Sequence, residues 1–346
     1  MKKVCIIGHF GFGYDLLNGQ TIKTKIVSAE LKNVLGCDDV MEIDTHGGLS
    51  FYFKLPFLIF SALLKCRNVI IMPAHNGLRV IAPLLAMLNI FFRRNTHYIV
   101  IGGWMPSLIS KKTYLRRCLK KFSHIYVETS VMEAALRKMN FSNVEVMLNC
   151  KPLDILAEDE LDMTVRTPMK FCTFSRVMKQ KGIEHAINVI KKLNENCGEN
   201  TCCLDIYGQV DEQEISWFDD LQRNFPKGVA YRGFVSFDKS VETLKCYDAL
   251  IFPTLFFTEG IPGTIIDAYA AGVPVISSKW ESFSDVVDDN IVGFGYQFAS
   301  QEALYGIIEK LLNEPALLLE KKKACVEKAK IFLPCNAMKV LIKNLD

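Results

Sequence analysis

The sequence predicts an α/β fold in which two Rossmann-like domains face each other across a cleft. Two observations carry this expectation. Short apolar runs alternate with helical patterns along the 346 residues, and such alternation gives mostly parallel sheets covered by helices on both sides. The alternation comes as two series in tandem, and a chain of this length supports two domains that each bury a core.

The first series opens at Met1-Lys-Lys-Val-Cys-Ile-Ile-Gly8. Its basic start has the outline of a signal peptide, but the apolar run stops at Gly8-His9, so it reads as a strand. Further strands are expected over 69–72, 98–102, 125–127 and 144–148. Helical patterns fall over 21–35, 52–65, 78–92, 110–121 and 131–139. Ser130-Val-Met-Glu133 reads as a capping box for the last of these. Residues 1–150 form the first predicted domain. Residues 151–168 turn acidic, lose periodicity and read as a linker. The second domain, 169–330, begins with Met169-Lys-Phe-Cys-Thr-Phe-Ser. Its other strands are expected over 203–207, 249–252 and 274–276, and its helices over 183–195, 213–223, 238–246, 263–271 and 301–312. The tail from 315 onward is helical, with 331–346 set apart as a final segment.

Composition narrows the function class. Half the residues are hydrophobic and 23% are charged, as in a soluble globular protein. The twelve cysteines are scattered singly except for Cys202-Cys203 and form no C-x-x-C, so reduced thiols and a cytoplasmic location are expected. The apolar stretches 55–64 and 80–92 are shorter than the ~20 residues that span a bilayer, so no transmembrane helix is expected. The net charge of +3 hides an asymmetry. Residues 1–151 hold 20 Lys and Arg against 9 Asp and Glu, and residues 45–127 hold twelve basic residues and no acidic one. Such a block favours an anionic partner. No nucleic-acid motif accompanies it, and aromatics do not interleave with the basic run, so the expected partner is an anionic membrane surface and not nucleic acid. Within the block, Tyr52-Phe-Lys-Leu-Pro-Phe-Leu-Ile-Phe-Ser-Ala-Leu-Leu-Lys65 is strongly apolar with lysines at both ends, and Lys111-Lys-Thr-Tyr-Leu-Arg-Arg-Cys-Leu-Lys-Lys121 is expected to place Arg116, Arg117, Lys120 and Lys121 on neighbouring turns of one helix; together the two elements suit attachment to an anionic membrane.

The chemistry concentrates in Glu259-Gly-Ile-Pro-Gly-Thr-Ile-Ile-Asp267-Ala-Tyr-Ala-Ala-Gly-Val-Pro-Val-Ile-Ser277. Pro262 suits the first turn of a helix, Gly272 its C-terminal cap, and Pro274 stops continuation. Glu259 therefore sits on a strand-to-helix loop and Asp267 inside the helix, at the strand ends where open α/β sheets collect ligands. The stretch resembles the Glu-x7-Glu signature of retaining glycosyltransferases of the GT-B fold, family 4. Flanking Pro253-Thr254, Ala268, Ala271-Gly272 and Pro274-Val275 share in the resemblance. Asp267 departs from it by one methylene while keeping the charge.

Two further patterns resemble the same family. Arg176-x4-Lys181-Gly182 follows a strand and precedes a helix, like the family's pair that clamps the donor diphosphate. Gly8-His-Phe-Gly-Phe-Gly-Tyr-Asp-Leu-Leu-Asn-Gly19 leads from a strand into a helix near Thr21, where backbone N–H groups favour phosphate. Its spacing is not G-x-G-x-x-G, so no nicotinamide or flavin fingerprint is present.

The resemblance implies sugar transfer from a nucleotide-sugar donor to an acceptor hydroxyl with retention, in surface polysaccharide assembly such as lipopolysaccharide or capsule. It implies that the first domain binds a saccharide acceptor, here expected to be lipid-linked, and that the second binds the donor. Glu259 would hold the transferred sugar, and Gly260, Ile261, Gly263 and Thr264 would lie along the diphosphate with Gly19. Asp267 would bind the ribose, and Arg176 and Lys181 would stabilise the departing diphosphate. Those cations would replace a metal; no cofactor is expected, and no spacing of metal ligands is found. His9, His75 and Trp104 are the candidates for the acceptor side. The enzyme would work at the inner face of the membrane. The alternatives are a non-catalytic donor-binding subunit of a two-chain glycosyltransferase, and a nucleotide-sugar epimerase of the same architecture.

Overall fold

A computed structural model describes residues 1–14, 19–198 and 201–345. It divides into two compact units. The first comprises Met1–Pro152 with Phe332–Asp346, and the second Leu153–Ile331.

The first unit holds β1 (Lys2–Gly8), β2 (Val40–Asp44), β3 (Cys66–Met72), β4 (Asn95–Ile99), β5 (His124–Val127) and β6 (Val144–Val146). They pair in parallel in the order β2-β1-β3-β4-β5-β6. Between them run α1 (Gly19–Leu35), α2 (Leu49–Lys65), α3 (His75–Phe92), α4 (Met105–Lys111), α5 (Thr113–Leu119) and α6 (Ser130–Lys138). The second unit holds β7 (Met169–Phe174), β8 (Cys202–Tyr207), β9 (Val229–Gly233), β10 (Ala249–Phe252), β11 (Val275–Ser278) and β12 (Gly293–Tyr296), in the order β12-β11-β10-β7-β8-β9. Its helices are α7 (Ile183–Cys197), α8 (Ile215–Arg223), α9 (Ser240–Leu244), α10 (Gly263–Ala270), α11 (Phe283–Val286), α12 (Gln301–Asn313) and α13 (Ala316–Ala329). Among the described residues all strand pairs within the two sheets are parallel, so both faces need cover, and central strands such as β3 and β10 are buried nearly throughout.

The C-terminal residues join the first unit through a buried polar array. His97 Nε2 lies 3.1 Å from Asn68 Oδ1, and Asn68 Nδ2 donates to the carbonyl of Leu345 at 2.8 Å. Asn344 Nδ2 donates to Glu145 Oε1 at 2.7 Å. Burial, with a smaller contribution from neighbouring His124, pushes the His97 imidazole down to about 3.

Several local expectations are corrected. The basic stretch 110–121 is not one helix: α4 ends at Lys111, α5 ends at Leu119, Lys120 caps it and Lys121 lies beyond. Arg116 and Arg117 are on α5, and the Lys120 N–H donates to the Arg116 carbonyl at 3.2 Å, so the cations sit on and just past a single short helix. Thr129, not Ser130, caps α6, its hydroxyl accepting from the Met132 N–H at 3.2 Å. Pro262 occupies the cap position of α10 and not its first turn. The apolar stretch from Val80 belongs to α3, whose 18 residues are long and apolar enough to cross a membrane by length and composition alone. Its inner face, Leu78, Ile81, Ala82 and Leu85, is packed in the core of the first unit.

Candidate functional site

The centre of the second unit's site is an ion pair between two loops. Lys181 Nζ lies 2.6 Å from Glu259 Oε2, with side chains 20% and 16% exposed. The Thr254 hydroxyl approaches the same oxygen at 3.4 Å, and Lys181 Nζ stands 5.7 Å from the centre of the Phe252 ring. Sequence brings these residues to the ends of adjacent strands. Lys181 follows β7, Thr254 and Glu259 follow β10, and β7 and β10 pair.

The two loops are fixed by backbone contact. Leu255 N–H donates to the Gln180 carbonyl at 2.8 Å. Gly182, at φ 68°, lets the chain pass so close that a Cβ there would lie 1.9 Å from the Pro253 carbonyl oxygen. Only glycine fits both constraints.

α10 begins just after Glu259. Gly260 is half-buried, Ile261 is buried, and Gly263 is the first helical residue. The opening N–H groups of a helix have no intrahelical carbonyl to meet, and the helix dipole favours an anion there. Thr264 Oγ1 is buried in this first turn without a hydrogen-bond partner among the described residues, as is Trp280 Nε1 after β11. Orphaned buried donors of this kind are rare and mark strain or a missing ligand. Asp267 is 4% exposed within α10.

Arg176 is held differently. Its side chain is 65% exposed, and its Nη1 is 3.4 Å from Asp211 Oδ2. No hydrogen bond or ion pair joins it to Glu259 among the described residues. Asp211 and Glu214, whose carboxylate accepts the Lys179 N–H at 2.7 Å, brace this loop and escaped the sequence analysis.

In the first unit, the loop after β1 is pinned by one carboxylate. Asp44, ending β2, accepts the N–H groups of Phe10 at 2.9 Å, Phe12 at 2.8 Å and His46 at 2.9 Å. Burial alone pushes its carboxyl up, but the backbone N–H groups of His46, Phe12, Phe10 and Gly11 together outweigh burial and hold it below the ordinary value. His9 Nδ1 lies 2.7 Å from Thr21 Oγ1, and its Nε2 is 3.3 Å from His46 Nδ1. His46 was not singled out in the sequence because β2, which delivers it, was not recognised there. Gly19 opens α1, while residues 15–18 of the glycine-rich loop lie outside the described residues.

The structure brings His75 and Trp104 together, with ring centroids 5.4 Å apart, and Arg79 Nη2 donates to His75 Nε2 at 3.2 Å. A buried ion pair, Lys23 with Glu128, joins α1 to the end of β5, and Lys23 also donates to the Val100 carbonyl at 3.2 Å. Nothing in the sequence pattern pairs these two residues, which stand 105 positions apart. Among the described residues, no group of three or more His, Cys, Asp or Glu is placed to hold a metal ion.

Residues 164–332 match the family described as glycosyl transferases group 1. An uncharacterized glycosyltransferase of Methanocaldococcus jannaschii is 24% identical over 192 residues, 55% of this chain and 47% of that protein. The amylovoran biosynthesis glycosyltransferase AmsK of Erwinia amylovora is 26% identical over 152 residues, 42% of this chain and 36% of that one. The chain thus aligns with about half or less of the length of these relatives. HepE of Anabaena, solved with UDP, superposes with a TM-score of 0.75 at 14% identity, covering 100% of this chain and 99% of that one. Likeness at that identity speaks for the fold, which is the two-domain α/β GT-B arrangement.

Proposed function

We propose that the chain is a retaining, metal-independent glycosyltransferase that moves a hexose or N-acetylhexosamine from a nucleotide sugar to a hydroxyl of a lipid-linked saccharide. The observation that carries this reading is the Lys181–Glu259 pair beside the start of α10. The family match spans the same unit.

The chemistry follows from charge. When a sugar leaves its nucleotide, negative charge builds on the diphosphate oxygen. Lys181 supplies a cation already positioned there, and the N–H groups around Gly263 and Thr264 add fixed dipoles. The Thr264 hydroxyl, without a partner among the described residues, is a donor for a phosphate oxygen. Arg176 lies at the exposed rim, where its long side chain exchanges Asp211 for the diphosphate. Glu259 accepts hydrogen bonds from hydroxyls of the transferred sugar, and Asp267 from the ribose diol. Retention proceeds on one face of the sugar: the bond from the anomeric carbon to the diphosphate oxygen breaks through an oxocarbenium-like state, the acceptor oxygen bonds to that carbon on the same face, and its proton passes to the departing diphosphate, so no protein nucleophile is needed.

HepE has been solved with UDP-glucose, and AmsK is named for amylovoran biosynthesis. These relatives favour a UDP-sugar donor and a setting in surface polysaccharide assembly. The acid-free basic block in 45–127 favours work at the cytoplasmic face of the membrane. A thermal-shift screen with UDP, GDP, ADP and CMP sugars tests the donor. Occupancy at ~100 times the dissociation constant adds ~2.7 kcal/mol of stability, and no shift with any nucleotide sugar rejects the reading.

A further inference from the structure

Helices α2 and α3 carry an apolar face that no described residue covers. On α2, Phe53, Phe57, Phe60 and Leu64 recur at helical spacing and are 82%, 78%, 49% and 54% exposed. On α3, Met87, Ile90 and Phe91 are 56%, 59% and 83% exposed. The opposite sides of the same helices, including Leu55, Ile59, Leu63, Ile81 and Leu85, are buried. Each helix is therefore apolar on both its core side and its solvent side. The rings of Phe60 and Phe92 meet edge-on at 5.3 Å, which joins the two exposed faces into one ridge. Contiguous exposed apolar surface of this kind marks an interaction site.

The charge beside the ridge identifies its partner. Residues 45–127 contain twelve basic residues and no acidic one. Lys54 stands exposed on α2 itself, Lys65 and Arg67 are exposed at its end, and Arg93 and Arg94 follow α3. Arg94 Nε donates to the Leu63 carbonyl at 3.0 Å, which fixes a guanidinium where α2 ends. Rings flanked by cations, with no carboxylate among them, match a bilayer's hydrocarbon boundary and anionic headgroups. A second copy of this chain would bring the same positive charges together, which disfavours self-association through this face.

We propose that the α2–α3 ridge is the membrane-docking surface, with Phe53, Phe57 and Phe91 entering the interface of an anionic bilayer. It extends the expected 52–65 element to α3 and makes the exposed rings the inserting part, with Arg116, Arg117, Lys120 and Lys121 adding electrostatic attraction. The proposal deepens the membrane part of the proposed function and rests on it for the location of the acceptor. Its test needs neither donor nor acceptor, so it succeeds or fails apart from sugar transfer.

The experiment is co-sedimentation of the full chain with vesicles of phosphatidylglycerol and phosphatidylcholine, and with phosphatidylcholine alone. Each is run at about 0.1 M and about 1 M salt, which brings the Debye length from ~10 Å to ~3 Å. The wild type binds the anionic vesicles, and a measurable part of that binding survives high salt because ring insertion is not screened. Phe53→Ser/Phe57→Ser/Phe91→Ser lowers partitioning roughly tenfold or more at both salt levels. Lys65→Glu/Arg67→Glu/Arg93→Glu lowers it at low salt only. Circular dichroism and thermal melts report that both variants remain folded. Absence of wild-type binding at low salt overturns the proposal, as does unchanged binding of the triple Phe variant. A wild-type dimer that the same Phe variant converts to monomer also overturns it, by assigning the ridge to a second copy.

Discussion

Lys181 Nζ and Glu259 Oε2 lie 2.6 Å apart although 78 positions separate them in the chain. The contact ties the loop after β7 to the loop after β10, and it puts a cation and an anion of the proposed chemistry in one place. Removing Lys181 takes away the cation that would meet the leaving diphosphate. Lys181→Ala is expected to slow transfer at least ~100-fold, the scale seen when one preorganised charge-stabilising donor is lost. Arg176→Ala, at an exposed position, is expected to slow it while leaving the melting temperature unchanged. Steady-state rates in excess chelator measure both effects and test metal independence at once. A near-wild-type rate for both variants removes the two cations from the site.

The two acidic residues have separable roles. Glu259 is assigned to the transferred sugar, so Glu259→Gln is expected to keep the wild-type affinity for bare UDP. Asp267 is assigned to ribose, so Asp267→Asn is expected to weaken that affinity about tenfold, the worth of ~1.4 kcal/mol. Calorimetry with UDP decides, and equal affinities for the two variants refute the division of labour.

Backbone geometry gives a contrast between two glycines. Gly182→Ala forces a Cβ to within 1.9 Å of the Pro253 carbonyl at φ 68°, so it is expected to lower stability and donor affinity together. Gly306 lies in α12 with no atom within 4 Å of the added Cβ. Gly306→Ala is expected to raise stability by about 0.5–1 kcal/mol. Thermal melts of the pair check the prediction, and a harmless Gly182→Ala would mean that the two loops are not locked.

Acid should act on the first unit through His97. Its imidazole titrates near 3 in the fold but near its ordinary 6.5 when unfolded. Between those values the unfolded chain binds the extra proton, so stability falls as pH drops below about 6.5. At pH 5 the loss is about 2 kcal/mol, from 1.36 kcal/mol per unit. Urea unfolding at pH 7 and pH 5 measures it. His97 Nδ1 also lies 3.2 Å from the Tyr126 hydroxyl, and His97→Gln, which can keep one of these two hydrogen bonds, is expected to be less stable at pH 7 and to show a smaller drop. An equal drop in both proteins would place the acid sensitivity elsewhere.

Much of this architecture is legible in the sequence, and the parts that are not share a cause. The strands absent from the sequence reading are β2, β9 and β12, and all three lie at sheet edges. β2 is Val-Met-Glu-Ile-Asp and only partly buried, β9 ends in Arg232-Gly233, and β12 alternates glycine with aromatics. Edge strands are covered on fewer sides, so they lack the unbroken apolar run that reveals β3 or β10. Losing β2 also hid Asp44 and His46. In the site, Glu259 and Lys181 were legible because each follows a strong central strand and sits in a spaced motif. Asp211 and the Lys23–Glu128 pair were not, because tertiary contact alone gives them their partners. The apolar stretch of α2 was legible as part of the membrane-facing block because lysines stand at both its ends, whereas the exposed face of α3 was not, since a helix apolar all round reads as core.

The central claim is that the Lys181–Glu259 site transfers sugar with retention. Its most direct test follows a UDP-sugar by proton NMR in excess chelator with a lipid-linked saccharide acceptor, reading the anomeric configuration of the first product. The account predicts an α-linked product from an α-linked donor, with UDP released in step and neither formed by Glu259→Gln. A β-linked product, or UDP release and transfer at the wild-type rate in Glu259→Gln, would contradict it.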